Sequence, residues 1–230
     1  MSSDIYTSLS GARAAQYQMD IVAQNIANVS TVGYREQRVS FELKGAGEGV
    51  LGQSQADASG VTPNMADGAV RVDNDPNHFA LQGEGFFVVD VGGEELLTRV
   101  GQFVVDAQGI MTTAQGNPVM ASTGEIEIPN GETFTVTNEG LIIASESGEV
   151  GKFDIVMADD ISPMGGGLWR ANSGIRDADA SVIQGALEGS NVDSMRAMVE
   201  LIEASRYFEA YQKTMQTSDE MDAKLIQMGG

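Results

Sequence analysis

At 230 residues, 42% of them hydrophobic, the chain has apolar material for one large domain or two small ones. Its 33 acidic against 13 basic residues leave a net charge of −20, which argues against the Lys and Arg patches that neutralise nucleic-acid phosphates or anionic lipid. It has no cysteine, so disulfide frameworks, thiol catalysis and Cys-type zinc sites are excluded.

The N-terminus lacks the basic and apolar regions of a secretory signal, and no stretch approaches the ~20 apolar residues of a membrane span. The expectation is a chain with no Sec address and no direct membrane insertion.

Ser3 to about Asn28 is expected to be helical, capped by Ser2 or Ser3 with Asp4 in the first turn. Ile5, Leu9, Ala12, Gln16, Met19, Ala23 and Ile26 recur at alternating four and three, the spacing of a coiled-coil seam. Gly11, near that seam, would let another helix come close. The helix should end before Gly33.

Residues 31–77 are expected to form an extended connector. Tyr34 to Phe41 has some strand character, but Gly45, Gly47, Gly49 and Gly52 follow, with small residues through Gly60. Val61 to Val72 has room for one or two short strands around a turn at Asp67-Gly68.

Residues 78–180 are expected to be a β domain. Phe86 to Val91 is an apolar, β-branched run, turned by Gly92-Gly93 into Leu96 to Val100. Short strands punctuated by glycine continue through Phe153 to Val156, the pattern of an antiparallel β domain. Pro163 to Arg176 reads as Gly-rich and irregular.

Residues 181–230 lead into a second helix, Val192 to Met228, free of Pro and Gly. Ser190-Asn191 offer its cap and Asp193 suits its first turn. Met195, Met198, Ile202, Phe208, Tyr211, Met215, Met221, Leu225 and Met228 mark one face. Its length would be roughly 55 Å. The expected fold class is therefore α+β. Long N-terminal (1–30) and C-terminal helices pair, and the central antiparallel β domain stands off on Gly-rich connectors.

Several motifs invite chemical readings that their context weakens. Gly47-Glu48-Gly49-Val50-Leu51-Gly52 has the dinucleotide-binding spacing without the strand before it or the helix after it. Asp73, Asp75, Asn77 and Glu84 take places of a calcium loop, yet His78 stands where that loop needs Gly. His78 is the single histidine, and no nucleophile elbow accompanies it. Trp169, beside Gly165 to Gly167, reads as a packing anchor. No metal, cofactor or catalytic set is expected.

Three blocks carry a more specific signal. Asn25, Ala27, Asn28, Thr31, Gly33 and Tyr34 meet a pattern close to NxANxxTxGF/Y, the N-terminal signature of the bacterial flagellar rod and hook proteins. Leu81 to Val89 followed by Thr98 to Phe103 is similar to that family's β-core segment, with Gly83, Gly85, Phe86, Phe87, Arg99, Gly101 and Phe103 as its marks. Gln184 to Val192, with Met198 to Ile202 and Ser205-Arg206, is similar to its C-terminal signature. Asn64 to Asn77 departs from the family pattern. The opening Ile5 to Ala12 and the modest length favour a rod subunit, proximal before distal, over a hook subunit.

The resemblance implies that the terminal helices pair as an antiparallel coiled coil around an axial channel, built on Ile5, Leu9, Met19, Ile26, Met195, Met198, Ile202, Phe208, Met215 and Leu225. It implies helical stacking with itself and other rod proteins into a shaft that crosses the periplasm and carries torque to the hook. Export would use the flagellar type III apparatus without a cleaved signal. The Asn25 to Tyr34 motif is expected to set the angle between helices and β domain. Two other classes compete: a hydrolase with a carboxylate pair in the β domain, and a calcium-dependent adhesin using Asp73 to Glu84.

Overall fold

The structure, a computed structural model, describes residues 2–44, 55–129 and 131–228. The GxGxxG-like glycines, 47–52, lie outside the described residues. Helix α1 spans Ser2–Ala27 and helix α2 spans Ser194–Met228. Between them run β1 (Gln37–Lys44), β2 (Gln55–Pro63), β3 (Val70–Val72), β4 (Phe79–Gln82), β5 (Phe86–Asp90), β6 (Glu95–Thr98), β7 (Phe103–Val105) and β8 (Met111–Thr113). They are followed by β9 (Met120–Ala121), β10 (Gly124–Glu125), β11 (Phe134–Val136), β12 (Leu141–Ala144), β13 (Gly148–Lys152) and β14 (Ile155–Met157). The last five are β15 (Asp160–Gly165), β16 (Leu168–Ser173), β17 (Arg176–Asp177), β18 (Ser181–Gln184) and β19 (Ala186–Glu188). No described helix is long and apolar enough to cross a membrane.

The chain divides into two units, and neither is a single stretch of sequence. One gathers 1–27, 37–63 and 193–230; the other gathers 28–36 and 64–192.

The first unit corrects the expected fold class. An antiparallel coiled coil of the two helices on glycine-rich connectors is not what the structure shows. Part of the expected connector is the β1–β2 hairpin, paired antiparallel from Gln37↔Pro63 to Lys44↔Gln55. That hairpin packs on α1, which also touches α2. The helices are therefore not each other's sole cover.

The apolar stripe also falls differently. Met195, Met198 and Ile202 are 75%, 50% and 54% exposed. The covered side of α2 instead holds Ala197 and Ala204, with Leu201, Phe208, Tyr211 and Met215 half-buried. On α1 the buried residues are Ser8, Ala12, Ala15, Ile21, Val22 and Asn25. Leu9 is exposed, and Met19 and Ile26 are half-buried. The side chains of Ile5 and Leu225 lie outside the described residues. Small residues hold the buried positions because they let backbones approach closely. A Cβ on Gly11 would lie 2.5 Å from the Tyr211 ring. The expected stripe therefore divides: Phe208, Tyr211 and Met215 lie on the covered side of α2, while Met195, Met198 and Ile202 face away from it.

The cap of α2 also differs from expectation. Asp193, not Ser190 or Asn191, is the capping residue: its Oδ1 accepts from the N–H of Met195 at 3.0 Å and Arg196 at 3.2 Å.

The second unit is antiparallel β throughout its pairings. Its largest sheet runs β15-β16-β6-β5-β14-β17. Around it lie the three-stranded β11-β12-β13 and the pairs β18-β4, β19-β3, β7-β8 and β10-β9. The stretch expected to be irregular forms the β15–β16 hairpin, pairing Asp160↔Ser173 through Gly165↔Leu168. Its glycines make the turn rather than break the strands.

Alternation along β5 and β6 serves two cores. Phe87, Val89 and Leu96 enter the main one with Phe79, Phe103, Met111, Ile142 and Phe153. Phe86, Val88 and Leu97 face the other way, against Val156 and Trp169. In the main core the rings of Phe79 and Phe153 stand 5.1 Å apart edge-on, and those of Phe87 and Phe103 5.2 Å apart. Such pairs add about 1 kcal/mol each to their burial.

Candidate functional site

The second unit carries one group of buried charges, and the local sequence explains how each arrives. After α1 the chain turns at Asn28 to Val32. Thr31 donates from both its N–H and its hydroxyl to Asn28, each at 3.1 Å. Gly33 then takes φ +65°, where a Cβ is costly. Its N–H donates to the Glu188 carbonyl at 2.8 Å. This bend lays Tyr34, Arg35 and Glu36 across the β body. Burial, with Glu36 adding to it, pushes the Tyr34 hydroxyl up to about 12.

Arg35, Arg99 and Glu188 are each 1% exposed. Arg35 Nη2 lies 3.0 Å from Glu188 Oε1, and Arg99 Nη1 lies 3.3 Å from Glu188 Oε2. Asp67, which reaches solvent, places one oxygen 3.4 Å from Arg35 and 3.5 Å from Arg99. Two positive and two negative groups thus share the site.

Backbone groups add to it, though Arg35 Nε, Arg99 Nε and Glu188 Oε2 are buried without a hydrogen bond. Gly68 N–H donates to Glu188 Oε1 at 2.8 Å. Arg35 donates to the Ala66 carbonyl, and Arg99 donates to Gly83 and, at 3.3 Å, to Leu81. The Arg99 guanidinium stands 5.8 Å from the centre of the Phe86 ring. Burial draws Arg99 down to about 10, with Glu188 opposing the fall, so it stays charged at neutral pH. Removing one partner of such a group costs about 3–5 kcal/mol, because it strands a buried charge.

Beside the charges, Asn191 ties its own segment to two others, at residue 36 and at residues 64–66. Its Oδ1 accepts from Glu36 N–H at 2.6 Å, and its Nδ2 donates to Asn64 O at 2.9 Å and Ala66 O at 2.7 Å. Asn64 returns the tie through its N–H and side chain, which donate to Glu36 at 2.7 Å each. Residues 36, 64 and 191 all sit at or next to points where the chain passes from one unit to the other. The whole arrangement binds the chain to itself; it offers no nucleophile and no exposed charge pair.

Of the six motif positions, Asn25 and Ala27 belong to the first unit and Asn28, Thr31, Gly33 and Tyr34 to the second. Asn25 is buried: it accepts from Gln37 N–H at 2.9 Å and donates to Gln37 O at 2.8 Å. Ala27 ends α1 and is exposed.

Two of the β-core positions meet Arg99, and the others pack elsewhere in the β body. Gly83 accepts its hydrogen bond and Phe86 lies under it. Gly101 allows contact with Phe79, since a Cβ there would lie 1.7 Å from Phe79 O. A Cβ on Gly85 would meet Ala178 at 2.8 Å. Phe87 and Phe103 are core.

The sequence reading did not single out Arg35 or Glu188, and it took Asp67 for a turn residue and Asn191 for a helix cap rather than members of this site. A signal existed for two of them: Glu188 and Asn191 lie inside the Gln184 to Val192 block.

The other candidates disperse. Asp73 and Asp75 spend oxygens on the N–H groups of Asp75 and Asn77, in tight local turns. Asp73 Oδ2 stands 2.5 Å from His78 Nδ1, which holds the Asp73 carboxyl below its usual range. Among the described residues no three acidic or histidine side chains converge as metal ligands. A cleft of about 440 Å³ is lined by Glu139, Asp154, Asp177, Asp179 and Lys152 among others. Burial there, then Glu95 and Asp177, raises the Asp154 carboxyl above its usual range.

Comparison with known proteins gives three family matches in chain order. Residues 5–35 match the model described as flagella basal body rod protein. Residues 80–144 match flagellar hook protein FlgE/F/G D1 domain, and 183–228 match flagellar basal body rod FlgEFG protein C-terminal. The chain is 30% identical to flagellar basal-body rod protein FlgF of Caulobacter vibrioides, covering 100% of this chain and 99% of that one. Against FlgF of Salmonella typhimurium it is 30% identical over 99% of this chain and 98% of the other. Against flagellar basal-body rod protein FlgG of Bacillus subtilis the figures are 28%, 99% and 99%.

Proposed function

The chain belongs to the flagellar basal-body rod protein family, and from that premise we propose how its residues serve the rod. It is a structural subunit of the flagellar basal body, assembling with other rod proteins there. In our reading it is a FlgF-type, proximal subunit; the likeness to FlgG makes a distal position the second reading.

The observation that carries an assembly role is the uncovered face of α2. Met195, Met198, Val199, Ile202 and Met221 are all at least half exposed along one long helix. The exposed apolar group Met195, Met198, Val199 and Ile202, on neighbouring turns, is the kind of surface that marks a protein contact. Repeated contacts that do not close on themselves build a helical tube. Subunits so stacked surround an axial export channel and carry torque toward the hook across the periplasm. The chain reaches its place through the flagellar type III apparatus, without a cleaved signal. It has no catalytic task; the buried charges hold chain, not substrate.

The Asn25 to Tyr34 motif fixes the course of the chain between the units. The support is its two anchors: Asn25 on Gln37, and Gly33 on Glu188.

Quantitative mass spectrometry of purified hook–basal bodies tests this. A copy number matching other proximal subunits supports the proximal reading. A number several times higher moves the chain to the distal rod. Absence from the particle refutes the structural role.

A further inference from the structure

Glu188 sits where segments from opposite ends of the sequence meet. Arg35 reaches the site from 28–36, and Glu188 from β19, just before α2. Arg99 belongs to the β body and has its own anchors, the carbonyls of Leu81 and Gly83 and the carboxylate of Asp67. Each end segment therefore delivers one charge, of opposite sign, into the same dry site.

With both present the site is neutral: Arg35 and Arg99 against Glu188 and Asp67. With only Arg35 docked, two buried guanidiniums share the one half-exposed carboxylate of Asp67. With only Glu188 docked, its carboxylate keeps Arg99 at 3.3 Å and the Gly68 N–H but loses its 3.0 Å partner, and the site is left with an excess negative charge. The first state leaves two buried cations undercompensated, and the second strips the buried carboxylate of the closer of its two guanidiniums. The backbone reinforces this reciprocity. Gly33 N–H donates to Glu188 O at 2.8 Å, and Asn191 N–H donates to Tyr34 O at 3.3 Å.

We infer that Arg35 and Glu188 form a two-part clasp, which makes docking of the two end segments on the β body one cooperative step. The clasp goes beyond the rod assignment and does not depend on where in the rod the subunit sits. A chain delivered one end first stays unclasped until the second end arrives.

Hydrogen exchange by mass spectrometry on the full chain tests this, reading peptides over 28–36, 186–192 and the β5–β6 core. Glu188→Gln should speed exchange at least tenfold in both end segments and leave the core protected. Arg35→Met should do the same, including in 186–192, which it does not alter. The double variant Arg35→Met/Glu188→Met should cost less stability than the two single methionine variants summed, the sign of direct coupling. Should Glu188→Gln fail to fold, Arg35→Lys decides. It keeps the charge but not the fork, and should loosen both segments more mildly. Exchange that rises only in the substituted segment, or effects that simply add, would overturn the clasp.

Discussion

A Cβ built on Gly33 would lie 2.5 Å from both the carbonyl carbon and the oxygen of Arg99. Backbone meets backbone there, so nothing flexible can yield. The positive φ of Gly33 adds its own penalty for any side chain.

Gly33→Ala should therefore lower stability by about 3 kcal/mol, the left-handed cost plus overpacking. Gly33→Val should cost more. Urea unfolding of the two variants checks the order. If Gly33→Val assembled and swam like the parent, the motif would not guide the chain as proposed.

Asn191→Ala should remove the tie between residues 36, 64 and 66. It leaves Glu36 N–H and the Asn64 and Ala66 carbonyls without that partner. The loss should be about 2–3 kcal/mol, since stranded polar groups cost more than a hydrogen bond contributes. Asn191→Asp can still accept from Glu36 N–H but cannot donate, and should fall between. Equilibrium unfolding of the three proteins gives the ranking.

The ion cluster was the least legible part of the molecule. The two helices and the short strands between Phe86 and Val156 could be read from spacing and glycine, because those signals are local; glycine misled at β1–β2 and β15–β16, where it flanks or turns paired strands. Arg35 and Glu188 meet only after the whole β body has formed between them, and no periodicity links them. The α2 stripe divides for a different reason. Its large Met and Ile residues were read as inward, whereas Ala197 and Ala204 take the buried positions. Periodicity gave the helix but not which face is covered, because that depends on how close the neighbouring backbone comes.

Asp154→Asn should stabilise the protein at neutral pH. Burial, with Glu95 and Asp177, raises the folded pKa above its unfolded value, so folding favours the protonated carboxyl. Below the unfolded value, near 3.8, both states are protonated and there is no penalty. As pH rises through the raised folded value, the penalty appears and stays. The variant's advantage should thus be present at pH 7, small because the group is partly solvated, and gone near pH 3. Melting temperatures at the two pH values test the sign.

Phe87→Ala should cost about 3–5 kcal/mol. The residue is fully buried, with ring contacts to Phe103 and Phe153 at 5.2 and 5.3 Å. Phe87→Leu should keep more than half of that. Denaturant midpoints for the pair would show whether the β core behaves as one packed body.

Ile202→Glu and Met198→Glu change residues that are at least half exposed, so the isolated chain should lose less than 1 kcal/mol. Incorporation into basal bodies should nevertheless collapse. Normal incorporation with normal swimming would show that this face meets no neighbour.

The chain enters or leaves the first unit at 27/28, 36/37, 63/64 and 192/193. In genetic terms this limits what recombination can exchange. Residues 64–192 could be swapped between related genes as one cassette, and would carry Glu188, Arg99 and Asp67 with them. Arg35 and Glu36 would stay behind with the recipient. A hybrid whose recipient lacked a basic residue at position 35 would inherit a buried carboxylate held by Arg99 alone. Relatives can then exchange their β bodies only where the short segment that stays behind, 28–36, already suits the incoming Glu188 and Asn191.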